Sequence, residues 1–166
     1  MSVQNIFLIG LIAVCQRTFH RPLAEALKMA FFYVDEEIEK HAGAEISWIF
    51  DVEGVIGLRQ SEAAIIDELT QQQGIVLATG GGAVLLEENR RCLAARGIVI
   101  HLDSPIEKLI ARTRRDTKRP LLQGSDPAAK LRELQQQRGP LYAEIADHRV
   151  LTDQRGVGAV TRKILK

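Results

Sequence analysis

The stretch IFLIGLIAVCQRTF, residues 6–19, opens as a continuous apolar run of the kind a fully buried strand needs. It passes through Gly10 into bulky residues and then toward RPLAEALKMA (21–30), where Leu23, Ala24, Leu27 and Met29 fall at helical spacing. A buried strand handing its chain to an amphipathic helix is the first half of a βαβ unit. The rest of the sequence repeats that alternation.

FFYV (31–34) reads as a second short strand, and DEEIEKHAG (35–43) as a helix with Asp35 in the capping position. Residues 44–73 form a long helical region interrupted near Gly54 and Gly57. GIVLATGGG (74–82) is a strand followed by a turn. LLEENRRCLAARG (85–97) is a helix that Gly97 should stop, and GIVIHLD (97–103) is another strand. SPIEKLIARTRRD (104–116) is a helix with Ser104 as cap and Pro105 at its first position. KRPLLQGSDP (118–127) reads as a loop, and residues 128–146 as a helix broken at Gly139-Pro140. HRVLT (148–152) and VGAVTRKILK (157–166) supply a last strand and helix. Strands alternating with helices predict a parallel sheet covered on both faces, and no linker or repeat divides residues 1–166 into more than one domain.

Composition narrows the function. The chain has 166 residues, of which 46% are apolar and 26% charged, and its net charge is +1, so no global field favours nucleic acid or a membrane surface. Basic residues concentrate in ARTRRDTKRP (111–120), a pattern suited to a small anionic ligand. Cys15 and Cys92 lie far apart, and the four histidines are scattered, which argues against a metal cluster and fits a reducing, cytoplasmic setting. The apolar run from Ile6 to Cys15 has the length of a secretory signal core but is too short to span a bilayer. Residues 1–5 carry no Lys or Arg to precede such a signal.

Five blocks carry chemistry: DEEIEK, GLR, ATGGG, KRPLL and RGPLYAEIA. Planar guanidinium groups bind carboxylates through paired hydrogen bonds, and consecutive glycines after a strand let backbone approach a ligand closely. Taken singly, Arg59 or Arg138 would be a surface ion pair, Asp35 a cap and the glycines a turn. In this order and spacing, the blocks resemble the shikimate kinase family over nearly the whole chain. The resemblance implies a three-layer α/β/α fold of the P-loop kinase type with a five-stranded parallel sheet. It also implies transfer of the ATP γ-phosphoryl group to the 3-hydroxyl of shikimate, assisted by Mg²⁺. By the same resemblance, Asp35 holds shikimate hydroxyls and orients the nucleophile. Arg59 and Arg138 clamp the shikimate carboxylate, Gly80, Gly81 and Gly82 form the ligand-side turn, and Arg119 reaches over the transferring phosphate.

The phosphate loop departs from this pattern. Against G-x-x-x-x-G-K-[ST] laid from Gly10, the second glycine is Cys15, the lysine is Gln16 and the hydroxyl residue is Arg17, with Thr18 one place late. Tyr33 stands where the family has a second carboxylate for the metal, and Val55 and Leu58 replace an acidic and an aromatic residue near the acid pocket. These departures predict an inactivated, pseudoenzyme-like member that retains residual shikimate binding as a monomer and binds neither ATP nor Mg²⁺ well. Two alternatives stand beside that expectation. One is an active shikimate kinase with an unorthodox loop, in which Arg17 or Arg119 takes the lysine's role and Asp35 alone serves the metal. The other is a non-catalytic protein-binding scaffold.

Overall fold

A computed structural model describes residues 4–10, 24–80, 82–113 and 127–151. Five strands form one parallel sheet: β1 (Asn5–Ile9), β2 (Ala30–Tyr33), β3 (Ile75–Ala78), β4 (Gly97–Asp103) and β5 (His148–Leu151). Their order across the sheet is β2-β3-β1-β4-β5, with all four pairings parallel. The helices are α1 (Val34–Ala42), α2 (Ile46–Thr70), α3 (Glu87–Arg96), α4 (Ile106–Thr113) and α5 (Pro127–Ile145), and residues 24–27 are also helical. The expected α/β architecture with its five-stranded parallel sheet is thus what the chain forms.

Every residue of β1 is buried, and β3 is buried throughout, as central parallel strands covered on both faces require. Buried polar side chains pin the two strands together. Asn5 accepts a hydrogen bond from the Ile75 N–H at 3.0 Å and donates to the Gln72 carbonyl at 2.7 Å, tying the start of β1 to the start of β3. At the other end of the same strands, Thr79 donates its hydroxyl to the Leu8 carbonyl at 3.0 Å, and its N–H reaches the same oxygen at 3.1 Å. That doubled contact fixes the position from which the glycine turn departs.

Two local expectations are corrected. Asp35 is not the cap of α1: Tyr33 holds the cap position, and Asp35 lies in the first helical turn with Glu36 and Glu37, where the helix dipole favours carboxylates. Helix α5 also runs through Gly139-Pro140 without a break. Proline there removes one backbone donor, but the halves on either side bury Leu131 and Leu134, and Tyr142 and Ile145, in the core. Tertiary packing outweighs the local penalty. Gly97 ends α3 by entering β4 in extended backbone rather than by a left-handed cap. The interruption at Gly54 is present: its φ of 73° and ψ of −176° kink α2, and the arm after it buries Glu62, Ile65, Ile66 and Leu69.

Candidate active site

In an open parallel sheet, ligands sit beyond the carboxyl ends of the strands where chain order reverses. Here that point is β1, flanked by β3 on one side and β4 on the other. Three segments leave the sheet at this edge. Gly10 follows β1, Asp35 follows β2 at the start of α1, and Thr79-Gly80 follows β3.

Side chains from α2 and α5 converge on the same place. A methyl group added at Gly80 would lie 3.1 Å from Glu62 Oε2 and 3.4 Å from Asp35 Oδ1, so two carboxylates flank one bare backbone position. At Gly82 an added methyl would collide with the Arg59 guanidinium, which lies directly over that glycine. Arg59 in turn donates to Glu62 Oε1 at 3.0 Å, one helical turn away on the arm of α2 that follows the Gly54 kink. From α5, Arg138 lies close enough to Arg59 and Glu62 to act on both electrostatically, and it hydrogen-bonds the Tyr142 side chain one turn on. A side chain at position 80 would crowd these carboxylates, and one at position 82 would displace the Arg59 guanidinium from its present place.

The cluster is buried and charged. Glu62 is 3% exposed and Arg138 4%. Arg59 Nε and Arg138 Nε and Nη1 are buried with no hydrogen-bond partner among the described residues. Buried guanidinium donors left open cost stability unless something accepts from them. An anionic, planar acceptor such as a carboxylate is the group this arrangement fits.

Burial pushes the Glu62 carboxyl from 4.5 up to about 7, with Asp35 adding to the rise and Arg59 and Arg138 opposing it. The folded protein therefore keeps a proton that the unfolded chain releases above 4.5. The stability Glu62 contributes by doing so is complete below that pH, is lost as pH climbs toward 7, and is level beyond. Glu62→Gln removes this dependence, so the variant gains on the wild type by about 2–3 kcal/mol between pH 4.5 and 8. Denaturant unfolding of both proteins across that range measures it; parallel stability curves would show that Glu62 does not titrate there.

Of the residues expected from the sequence, Asp35, Arg59, Gly80, Gly82 and Arg138 come together at this edge, with Gly10 at the end of the adjacent strand. Tyr33 is the last residue of β2, its ring edge-on to Phe31 with centroids 6.3 Å apart. Cys15, Gln16, Arg17, Thr18, Gly81 and Arg119 lie outside the described residues. Two further participants complete the cluster. Glu62 carried a signal in its three-residue spacing from Arg59, and Tyr142 in its four-residue spacing from Arg138, both of which bring side chains together on a helix. Among the described residues, no group of three or more metal-ligating side chains occurs, and no helix is long and apolar enough to cross a membrane.

Comparison with known proteins bears directly on this cluster. The family model for shikimate kinase matches residues 15–166. A shikimate kinase from Vibrio parahaemolyticus is 50% identical over 163 residues, covering 98% of this chain and 95% of its own length. One from Buchnera aphidicola is 53% identical over 163 residues, covering 98% and 94%. Among solved structures, the shikimate kinase from Acinetobacter baumannii in complex with shikimate superposes with a TM-score of 0.95 at 44% identity, covering 98% of this chain and 91% of that one.

These findings overturn the expectation of an inactivated chain with poor ATP and Mg²⁺ binding. Relatives this similar over almost the full length are named as kinases, and the matched structure holds the acid. The expectation failed for a physical reason. It took a few loop positions and Tyr33 as decisive over the acid side, where a buried protonatable carboxyl and open guanidinium donors lower stability unless a ligand uses them. The chain belongs to the shikimate kinase family.

Proposed function

We propose that the chain is an active shikimate kinase, transferring the γ-phosphoryl group of ATP to the 3-hydroxyl of shikimate and releasing ADP and shikimate 3-phosphate. The observation that carries this is the gathering of Asp35 beside Gly80 and Arg59 over Gly82, with Arg138 near Arg59 and Glu62, and with buried guanidinium donors facing no protein acceptor among the described residues. Arg59 and Arg138 take the shikimate carboxylate. Bare backbone at Gly80 leaves the carboxylates room beside the ring, and bare backbone at Gly82 leaves room for the Arg59 guanidinium. Asp35 accepts a hydrogen bond from the hydroxyl that attacks, fixing its lone pair toward phosphorus and drawing off the proton as the new O–P bond forms and the bond to ADP breaks.

Phosphoryl transfer rests on positioning and on charge stabilisation. Mg²⁺ bound with ATP would supply charge neutralisation on the phosphates. Such ions keep most of their ligands as phosphate oxygens and water and take only one or two carboxylates, so Asp35, one of the two carboxylates beside Gly80, would meet that demand. Gln16 stands where a phosphate-loop lysine would be, and the cationic role falls to Arg17 or Arg119, since guanidinium pairs well with phosphate oxygens. The same proposal includes one domain over residues 1–166, acting as a cytoplasmic monomer.

A ³¹P NMR time course with pure protein, shikimate and Mg-ATP tests this. The expected result is a growing shikimate 3-phosphate resonance with matching ADP, absent without protein. A flat trace at high protein concentration would overturn the proposal.

A further inference from the structure

Arg138 does not hold itself in place. It sits at the middle of α5, 4% exposed, with two of its nitrogens unpartnered among the described residues. Its side-chain hydrogen bond to Tyr142 comes from the same helix, one turn further along. The Tyr142 residue is 1% exposed, and its ring stacks on His101 of β4, with centroids 4.8 Å apart and an angle of 29° between planes. Beyond this stack lies a cavity of about 470 Å³ lined by His101, Asp103, Gln135, Gly139, Tyr142 and Arg149, among others. Tyr142 contributes to that lining while its side chain stays buried. The ring is held by His101 on the sheet side and by Arg138 at its hydroxyl.

This gives a mechanical chain from the sheet to the acid pocket: β4 places His101, His101 sets the plane of Tyr142, and the Tyr142 hydroxyl takes a donor of Arg138. A guanidinium that has surrendered one donor to a fixed partner can no longer swing freely about its last torsions. The donors it keeps are then presented in one orientation, and less entropy is lost when a carboxylate arrives. We infer that Tyr142, braced by His101, is a positioning residue that pre-orients Arg138 and thereby sets affinity for the carboxylate of shikimate. This inference rests on the proposed kinase activity and on the carboxylate-binding role of Arg138.

Tyr142→Phe tests it, because it keeps the ring and the stack and removes only the hydroxyl. Hydrogen bonds to charged groups are worth enough for about a tenfold change in binding. The expected result is about a tenfold weaker shikimate Kd by calorimetry without nucleotide and a matching rise in shikimate KM. The KM for ATP should be unaltered, and kcat should stay within about threefold. The sharper readout is the primary amide of shikimate. Wild type prefers the acid to the amide, and Tyr142→Phe loses about the same tenfold factor of that preference, since only the acid uses the paired donors of Arg138. His101→Phe keeps a stacking ring, retains the preference, and checks that the effect comes through the hydroxyl rather than through loosened packing. Unchanged acid-over-amide discrimination in Tyr142→Phe would overturn the inference, as would equal losses for acid and amide, which indicate general disruption. If wild type binds neither compound, the failure belongs to the proposed function and not to the positioning role.

Discussion

Asp35→Asn lowers kcat for shikimate phosphorylation about 10²–10⁴-fold, the usual range for removing a positioned acid–base group. Shikimate Kd changes by only a few-fold. Asparagine is isosteric and keeps an oxygen that can accept from the hydroxyl, so the ground-state contact survives. What is lost is the charge that draws the proton as the O–P bond forms. The position suits an ionised carboxylate, because Asp35 lies in the first turn of α1 beside Glu36 and Glu37, where the helix dipole favours negative charge. Stability therefore falls by well under about 1 kcal/mol in the variant. A second consequence separates this role from a generic one. Asp35 is one of the groups that push the Glu62 pKa up, so in Asp35→Asn the pH range over which Glu62 loses its stabilising proton moves downward. Quenched-flow or coupled assays give kcat, and unfolding across pH gives the second effect. A kcat loss under about tenfold would remove Asp35 from the mechanism.

The acid side of the pocket was legible because its residues are set by spacing within helices and by glycines at strand ends, both of which leave marks in one dimension. Arg59 and Glu62 sit three apart, Arg138 and Tyr142 four apart, and Gly80 and Gly82 follow directly on β3. What the sequence could not display was how these pairs meet each other. Arg59 reaches Gly82 from the arm of α2 that follows the kink at Gly54, whose positive φ a one-dimensional pattern shows merely as an interruption. The brace from His101 was invisible for the same reason: β4 and α5 meet through folding, and no local periodicity links positions 101 and 142. The helix break expected at Pro140 failed in the opposite direction, since a local rule met a core that buries residues on both sides of it.

The phosphate side misled for a chemical reason. A lysine, a glycine and a hydroxyl in fixed register are a compact signature, and their replacement by Gln16, Cys15 and Arg17 reads as loss. The underlying demand is positive charge against phosphate oxygens, and more than one residue can meet it. Arg17 and Arg119 are both cations in segments that the resemblance places near the nucleotide. Pattern matching tests register, whereas transition-state stabilisation depends on where charge ends up in space.

Arg138→Met should separate binding from stability more sharply than any other change. The shikimate Kd rises by about 10²-fold or more, in line with the roughly 2–5 kcal/mol that follows loss of one partner from a buried charge pair. Stability, in contrast, stays level or improves. Burial already pulls the Arg138 pKa below its ordinary value, which measures how poorly the folded protein solvates that cation. Two of its nitrogens have no partner among the described residues. Replacing an imperfectly satisfied buried ion with an apolar side chain of similar volume is often neutral or stabilising. Losses partly offset this: Tyr142 gives up its hydrogen bond, and Glu62 loses one of the two cations that hold its pKa down, so its protonated form extends to higher pH. A protonated Glu62 needs no counter-charge, and the cluster therefore tolerates the change. Calorimetric titration with shikimate and thermal unfolding at pH 6 and 8 give both halves. Lost affinity with an unchanged or higher Tm means that the chain keeps Arg138 at a cost in stability, for its ligand. A Tm lowered by many degrees with affinity intact would instead make Arg138 a structural residue, and the carboxylate clamp would have to be sought at Arg59 alone.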